Sequence, residues 1–193
     1  GLVDRVDVSQ YRLAAHLTLA AIIFAAIIWV ALGVGGVRQG RLRWGALALV
    51  VIIVVQIATG GLVAGLDAGM AYNTWPLIDG AVIPDGLLDQ SPVLVNFFEN
   101  VLTVQFQHRM LAYLVVIAAL DEALRSIRGR ADEAESAAWA MIVAVLTQLA
   151  LGIATLLAQV PLSLALLHQA GAFLLLATAV WHLHSTALSA RRG

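Results

Sequence analysis

Asn100–Leu120 reads NVLTVQFQHRMLAYLVVIAAL, a run long and apolar enough to cross a bilayer as a helix, yet it carries Gln105, Gln107, His108 and Arg109. A charged side chain at membrane depth costs about 2.5–3.5 kcal/mol on insertion scales, so such residues turn inward towards partners in a bundle. The stretch therefore predicts a helix with a polar site on its inner face. Four further apolar runs flank it, Leu13–Val34, Trp44–Leu66, Ala137–Gln159 and Leu162–Leu188, each able to span roughly 30 Å of hydrocarbon. Of the 193 residues, 61% are hydrophobic and only 12% charged, far from the composition of a soluble domain. The predicted fold class is all-α, a polytopic transmembrane bundle of five helices.

Several chemistries are excluded at this stage. The net charge of −1 and the short, scattered arginine clusters give no nucleic-acid-binding patch. The absence of cysteine removes disulfides, thiolate metal sites and cysteine nucleophiles. No glycine-rich phosphate loop stands between a strand and a helix, no HExxH pair is present, and Ser163 and Ser185 have no base arranged beside them. The chain opens on Gly1 and the polar GLVDRVDVSQ, without a basic-then-apolar leader, and reads as a fragment of a longer protein.

Orientation follows from the arginines. Arg38, Arg41 and Arg43 lie between the first two spans, Arg125, Arg128 and Arg130 between the third and fourth, and Arg191 and Arg192 in the tail. All three clusters are expected on the cytoplasmic side. The segment 67–100 holds Asp67, Asp79, Asp85, Asp89 and Glu99 but no basic residue, and is expected on the outer side. Its Gly and Pro punctuation predicts turns in place of a further helix, and Tyr72, Trp75, Phe97 and Phe98 suit the membrane interface. A lid over an outer-facing site and an inert connector both fit so long a loop.

Three histidines share one depth. At 1.5 Å per residue from the outer ends of their spans, His108 and His16 lie about 10 Å in and His168 about 9 Å in. Two histidines on facing helices at one level can ligate a haem iron from both sides, or they can be hydrogen-bonding links between helices. Ala112, one turn from His108, and Gly171 and Ala172, near His168, leave room for a flat ring. Arg109 calls for an anionic partner such as a haem propionate. Gln105, one turn from His108, is placed to meet a propionate or orient the imidazole. Arg12 stands in the same relation to His16, either pairing there or snorkelling to the interface. His182 lies fourteen residues beyond His168, but the matching positions after His108 and His16 are Glu122 and Val30. No second haem is therefore expected, and His182 and His184 read as cytoplasmic interfacial residues. A short internal echo, QIATG at Gln56–Gly60 and QLALG at Gln148–Gly152, hints at duplicated units. Gly60, Gly61, Ala64, Gly65, Gly152 and Ala154 around it predict close helix packing.

GLVAGLDAGMAYNTWPLIDG (Gly61–Gly80) and FFENVLTVQFQHRMLAY (Phe97–Tyr113) closely resemble the outer loop and sixth helix of haem A synthases. YRLAAHL (Tyr11–Leu17) is similar to that family's fourth helix and LLHQAGA (Leu166–Ala172) to its eighth. The resemblance implies the C-terminal five of eight helices in a bacterial plasma (inner) membrane protein made of two four-helix halves. Residues 1–40 would then hold the last helix of the substrate half, and residues 41–193 the cofactor half with its outer loop 67–100. His108 and His168 would be axial ligands of a haem b, with Gln105 and Arg109 beside it, and His16 one of two histidines at the haem O site. The implied reaction oxidises a methyl group of haem O to a formyl group, through hydroxymethyl and geminal diol stages, to give haem A for terminal oxidases. Implied partners, besides substrate and lipid, are haem O synthase and oxidase assembly factors, and small-residue seams are compatible with a homo-oligomer. The family's Glu-x-x-His-Arg motif is absent here, and neither Glu99 nor Glu122 replaces it. On the residues alone, an electron-carrying cytochrome b subunit without catalysis and a haem-free helical transporter or scaffold also stand.

Overall fold

The computed structural model of the chain describes residues 9–34, 43–129 and 132–189. Five long helices dominate: α1 (Gln10–Gly33), α2 (Trp44–Gly65), α4 (Val101–Arg128), α5 (Asp132–Leu157) and α6 (Leu162–Ser189), with the single-turn α3 (Asn96–Glu99) leading into α4. The expected spans are thus recovered, α4 running on past Leu120 to Arg128. All four prolines fall outside the long helices, so none removes a ladder hydrogen bond within them. The Asn100 side chain caps α4 by accepting the Thr103 backbone N–H at 3.0 Å, a contact type worth about 1 kcal/mol.

Among the described residues, four helices are apolar enough by composition alone to cross a membrane: α1, α2, α5 over Ala134–Leu157 and α6 over Leu162–Ala187. The exception is α4, which is equally long but carries Gln105, Arg109, Glu122 and Ser126, all buried. Its neighbours explain how it is accommodated. α4 packs between α2 and α5, α5 packs on α6, and α6 returns to α2, closing a four-membered ring with α4 and α6 on one diagonal. The polar stripe of α4 faces the inside of this ring.

α1 lies outside the ring against α2 and α6. Lipid tails are as apolar as leucine, so close approach of backbones contributes more to helix association in a membrane than removal of apolar surface from water. The α1–α2 seam shows this: a Cβ at Gly61 would stand 2.7 Å from Ala14 Cα, and one at Gly65 would collide with Gln10. Ala21, Leu49, Ile53, Val115, Ala119, Met141, Val145, Leu176 and Val180 form the centre of the core.

The segment between α2 and α4 forms turns, as expected: 3-10 turns at Ala68–Met70 and Val93–Val95, and a bridge pairing Ile78 with Ala81. Asn96, fully buried, ties it together by donating to the carbonyls of Gln90 at 2.8 Å and Val93 at 2.9 Å and accepting from Gln90 N–H at 3.0 Å.

One expectation is corrected. His182 is not an interfacial residue but fully buried between α4 and α6, 3.4 Å from Ser126 Oγ and 4.0 Å from Glu122 Oε2. Glu122 also approaches Arg43 at 4.0 Å and fits over Gly45, where any Cβ would displace it. Glu122 and His182, each fourteen residues beyond His108 and His168, thus meet further along the same two helices. His184 lies edge-on to Trp29 of α1, ring centroids 5.1 Å apart. Arg38, Arg41, Arg130, Arg191 and Arg192 lie outside the described residues.

Candidate functional site

At the end of the ring that carries the 67–100 loop, the helices enclose a cavity of about 330 Å³, within the range of small-molecule and cofactor sites. α4 contributes His108 and α6 contributes His168, from opposite corners of the ring, and both line this one space. Ala112 and Ala172 line it as well, whereas Gly171 is turned to α5, where a Cβ would collide with Gln148 Oε1.

Each imidazole is held by the helix beside it, and the two arrangements match. On α2, Gln56 Nε2 donates to the His108 backbone carbonyl at 3.1 Å and lies 3.2 Å from its Nδ1 and 3.3 Å from its Nε2. On α5, Gln148 Nε2 donates to the His168 carbonyl at 3.0 Å and lies 3.1 Å from its Nδ1. Four residues after each glutamine stands a glycine against the ring. A Cβ at Gly60 would be 3.3 Å from His108 Cε1, and one at Gly152 would be 2.9 Å from His168 Cε1. The sequence echo QIATG and QLALG is thus a pair of histidine cradles, one glutamine to grip and one glycine to admit the ring. Of the small residues expected to pack helices, Gly61 and Gly65 do so, while Gly60 and Gly152 serve the site.

Gln105 and Arg109 are placed differently from the sequence reading. Gln105 Nε2 donates to the carbonyls of Ala68 at 2.7 Å and Tyr72 at 3.2 Å, and its Oε1 accepts from Arg109 at 3.0 Å. Arg109 donates in turn to the carbonyls of Thr74 at 2.8 Å and Tyr72 at 2.9 Å. Together they clamp the start of the loop over the cavity, where Trp75 Nε1 reaches Tyr113 Oη at 3.1 Å and both aromatic residues line the wall. The imidazole partner is Gln56, not Gln105. Gln107 faces elsewhere, donating to the Phe97 carbonyl at 2.7 Å.

Four buried polar atoms on cavity-lining residues have no hydrogen-bond partner among the described residues: Gln56 Oε1, Gln148 Oε1, Gln169 Nε2 and Arg109 Nε. Buried polar groups are almost always satisfied; Gln148 Oε1 packs against Gly171, which leaves Gln56, Gln169 and Arg109 to meet a polar-edged occupant. A bis-imidazole site with apolar walls, an unpaired arginine nitrogen and glycines behind the rings fits a haem with anionic propionates. Gln56, Gln148, Gln169 and Thr59 were not singled out from sequence as site residues, although the echo pointed at the first two.

His16 is not part of this cavity. It lies exposed on α1, on the same outward face as Arg12 and Leu19.

Comparison with known proteins bears on the whole chain. The family model COX15-CtaA, described as cytochrome oxidase assembly protein, matches residues 1–180. The chain belongs to this family. The heme A synthase of Chelativorans sp. (strain BNC1) is 51% identical over 191 residues, covering 96% of this chain and 53% of that protein. The heme A synthase of Parvibaculum lavamentivorans is 49% identical, covering 97% of this chain and 55% of its own length. That of Bradyrhizobium diazoefficiens is 51% identical over 93% of this chain and 52% of the relative. The chain thus spans about half the length of the curated relatives it matches.

Proposed function

We propose that this chain is the cofactor-binding half of a haem A synthase, together with one helix of the substrate half, and that His108 and His168 are the axial ligands of a haem b. The observation carrying this reading is that two histidines on diagonal helices line one cavity, each gripped by a Gln-x-x-x-Gly frame, with unpaired polar atoms of Gln56, Gln169 and Arg109 around them. Bound there, haem b supplies one-electron redox chemistry. The protein's own residues orient and enclose it: Gln56 and Gln148 fix the imidazoles, Arg109 offers its free Nε to a propionate, and Trp75 and Tyr113 close the loop end.

In the complete protein, residues 1–40 belong to the half that binds haem O, and His16, exposed on α1, faces that site. The activity is oxidation of a haem O methyl group to the formyl group of haem A. The arginine-bearing ends face the cytoplasm and the 67–100 loop the outer side. Haem O synthase and oxidase assembly factors are the proposed protein partners.

Replacing His108 or His168 with alanine in the full-length protein is expected to abolish the low-spin haem b spectrum, and an unchanged spectrum overturns the ligand assignment. Incubation of the full-length protein with haem O and detection of a formyl product tests the activity. A protein that binds haem b yet forms no formyl product under reducing and oxidising conditions is an electron carrier instead.

A further inference from the structure

The two histidine cradles differ at two positions, Ile57 against Leu149 and Thr59 against Leu151, and only the second changes a polar group. Three residues after Gln56 stands Thr59, and three after Gln148 stands Leu151. Thr59 Oγ1 lies 2.9 Å from His108 Nδ1 and 2.9 Å from the Gln56 backbone carbonyl. The hydroxyl has one proton and the carbonyl can only accept. When Oγ1 donates to the carbonyl, its lone pair is left to accept from Nδ1–H, giving the chain Nδ1–H to Oγ1–H to O=C. Thr59 itself is not among the residues that line the cavity with His108. A neutral imidazole protonated at Nδ1 has its lone pair on Nε2, which is the form that ligation through Nε2 requires.

We propose that the Thr59 hydroxyl is a positioning group that holds His108 in the Nδ1–H tautomer when iron takes Nε2 in place of the Gln56 amide that lies 3.3 Å from it, a support that Leu151 cannot give His168. The proposal rests on the ligand assignment above. It makes the two axial ligands inequivalent: an imidazole whose N–H is accepted by a hydroxyl is the more basic donor, because a ligating histidine gains basicity from the acceptor on its other nitrogen. Gln148 offers His168 only a carboxamide, whose Oε1 is unpaired and whose Nε2 faces the ring.

The test compares Thr59→Val, which keeps the shape and removes the hydroxyl, with Thr59→Ser, which keeps the hydroxyl, in the full-length haem-loaded protein. The readouts are the haem b midpoint potential and the low-spin electron paramagnetic resonance signal. Thr59→Val is expected to raise the potential and shift the g values, with Thr59→Ser matching the parent. If Thr59→Val fails to retain haem, retention by Thr59→Ser supports the proposal and loss by both overturns it, since packing would then be the cause. A parent-like potential and signal in Thr59→Val also overturn it. His108→Ala, measured alongside, separates the layers: loss of the low-spin signal there keeps the ligand assignment whatever Thr59 does, and its persistence removes assignment and proposal together.

Discussion

Gly152→Ala tests the cradle geometry most directly. The added Cβ would stand 2.9 Å from His168 Cε1, 3.5 Å from Nδ1 and 3.7 Å from Nε2, where ordinary contact begins at 3.4 Å. The ring must therefore retreat by about 0.5 Å, the difference between 3.4 and 2.9 Å. It is not free to do so, because Gln148 holds both its Nδ1 at 3.1 Å and its backbone carbonyl at 3.0 Å. Overpacking of this kind costs about 1–3 kcal/mol, which at 1.4 kcal/mol per factor of ten weakens haem affinity roughly 5- to 150-fold. Gly60→Ala provides the internal control. There the distance to His108 Cε1 is 3.3 Å, a shortfall of about 0.1 Å that a small ring tilt absorbs, and affinity is expected to fall less than about threefold. The assay is titration of the haem-stripped full-length protein with haem b, following the Soret band, with resonance Raman to report six-coordinate low-spin iron. Thermal unfolding of the haem-free variants shows whether the bundle itself is intact. Parent-like affinity in Gly152→Ala, or greater damage from Gly60→Ala, refutes the reasoning.

Other outcomes follow from the same contacts. Arg109→Met leaves the Thr74 carbonyl without its donor and the Tyr72 carbonyl with Gln105 alone, at about 1 kcal/mol for each hydrogen bond lost. Hydrogen exchange in residues 72–75 is expected to accelerate, and an unchanged pattern would show that the loop is held by other means. Asn96→Ala removes the hub joining Gln90 and Val93, with an expected loss of about 2 kcal/mol or more and earlier proteolytic cleavage within 86–96. Glu122→Leu or His182→Leu alone strands a buried polar partner, whereas the double variant removes both, so the double is expected to be more stable than the sum of the singles implies. Strict additivity in thermal unfolding would show that the two do not interact.

Much of this protein is determined by its sequence alone. Five runs of Leu, Ala, Val and Ile free of internal proline make membrane helices, because a backbone in hydrocarbon must satisfy its own hydrogen bonds. The polar residues of Asn100–Leu120 mark α4 as the helix facing an interior site, and even spacing from the span ends places His108 and His168 at one level. Partners of side chains are another matter, since they depend on which helices become neighbours and at what rotation. Only the ring order of α2, α4, α5 and α6 makes Gln56 and Gln148 the holders of the imidazoles and commits Gln105 and Arg109 to the loop carbonyls. The same ring order buries His182 beside Glu122, where periodicity and position alone put it at the membrane surface. Helical spacing fixes what lies along one helix, whereas the contacts that build this site run between helices, up to 52 residues apart in the chain.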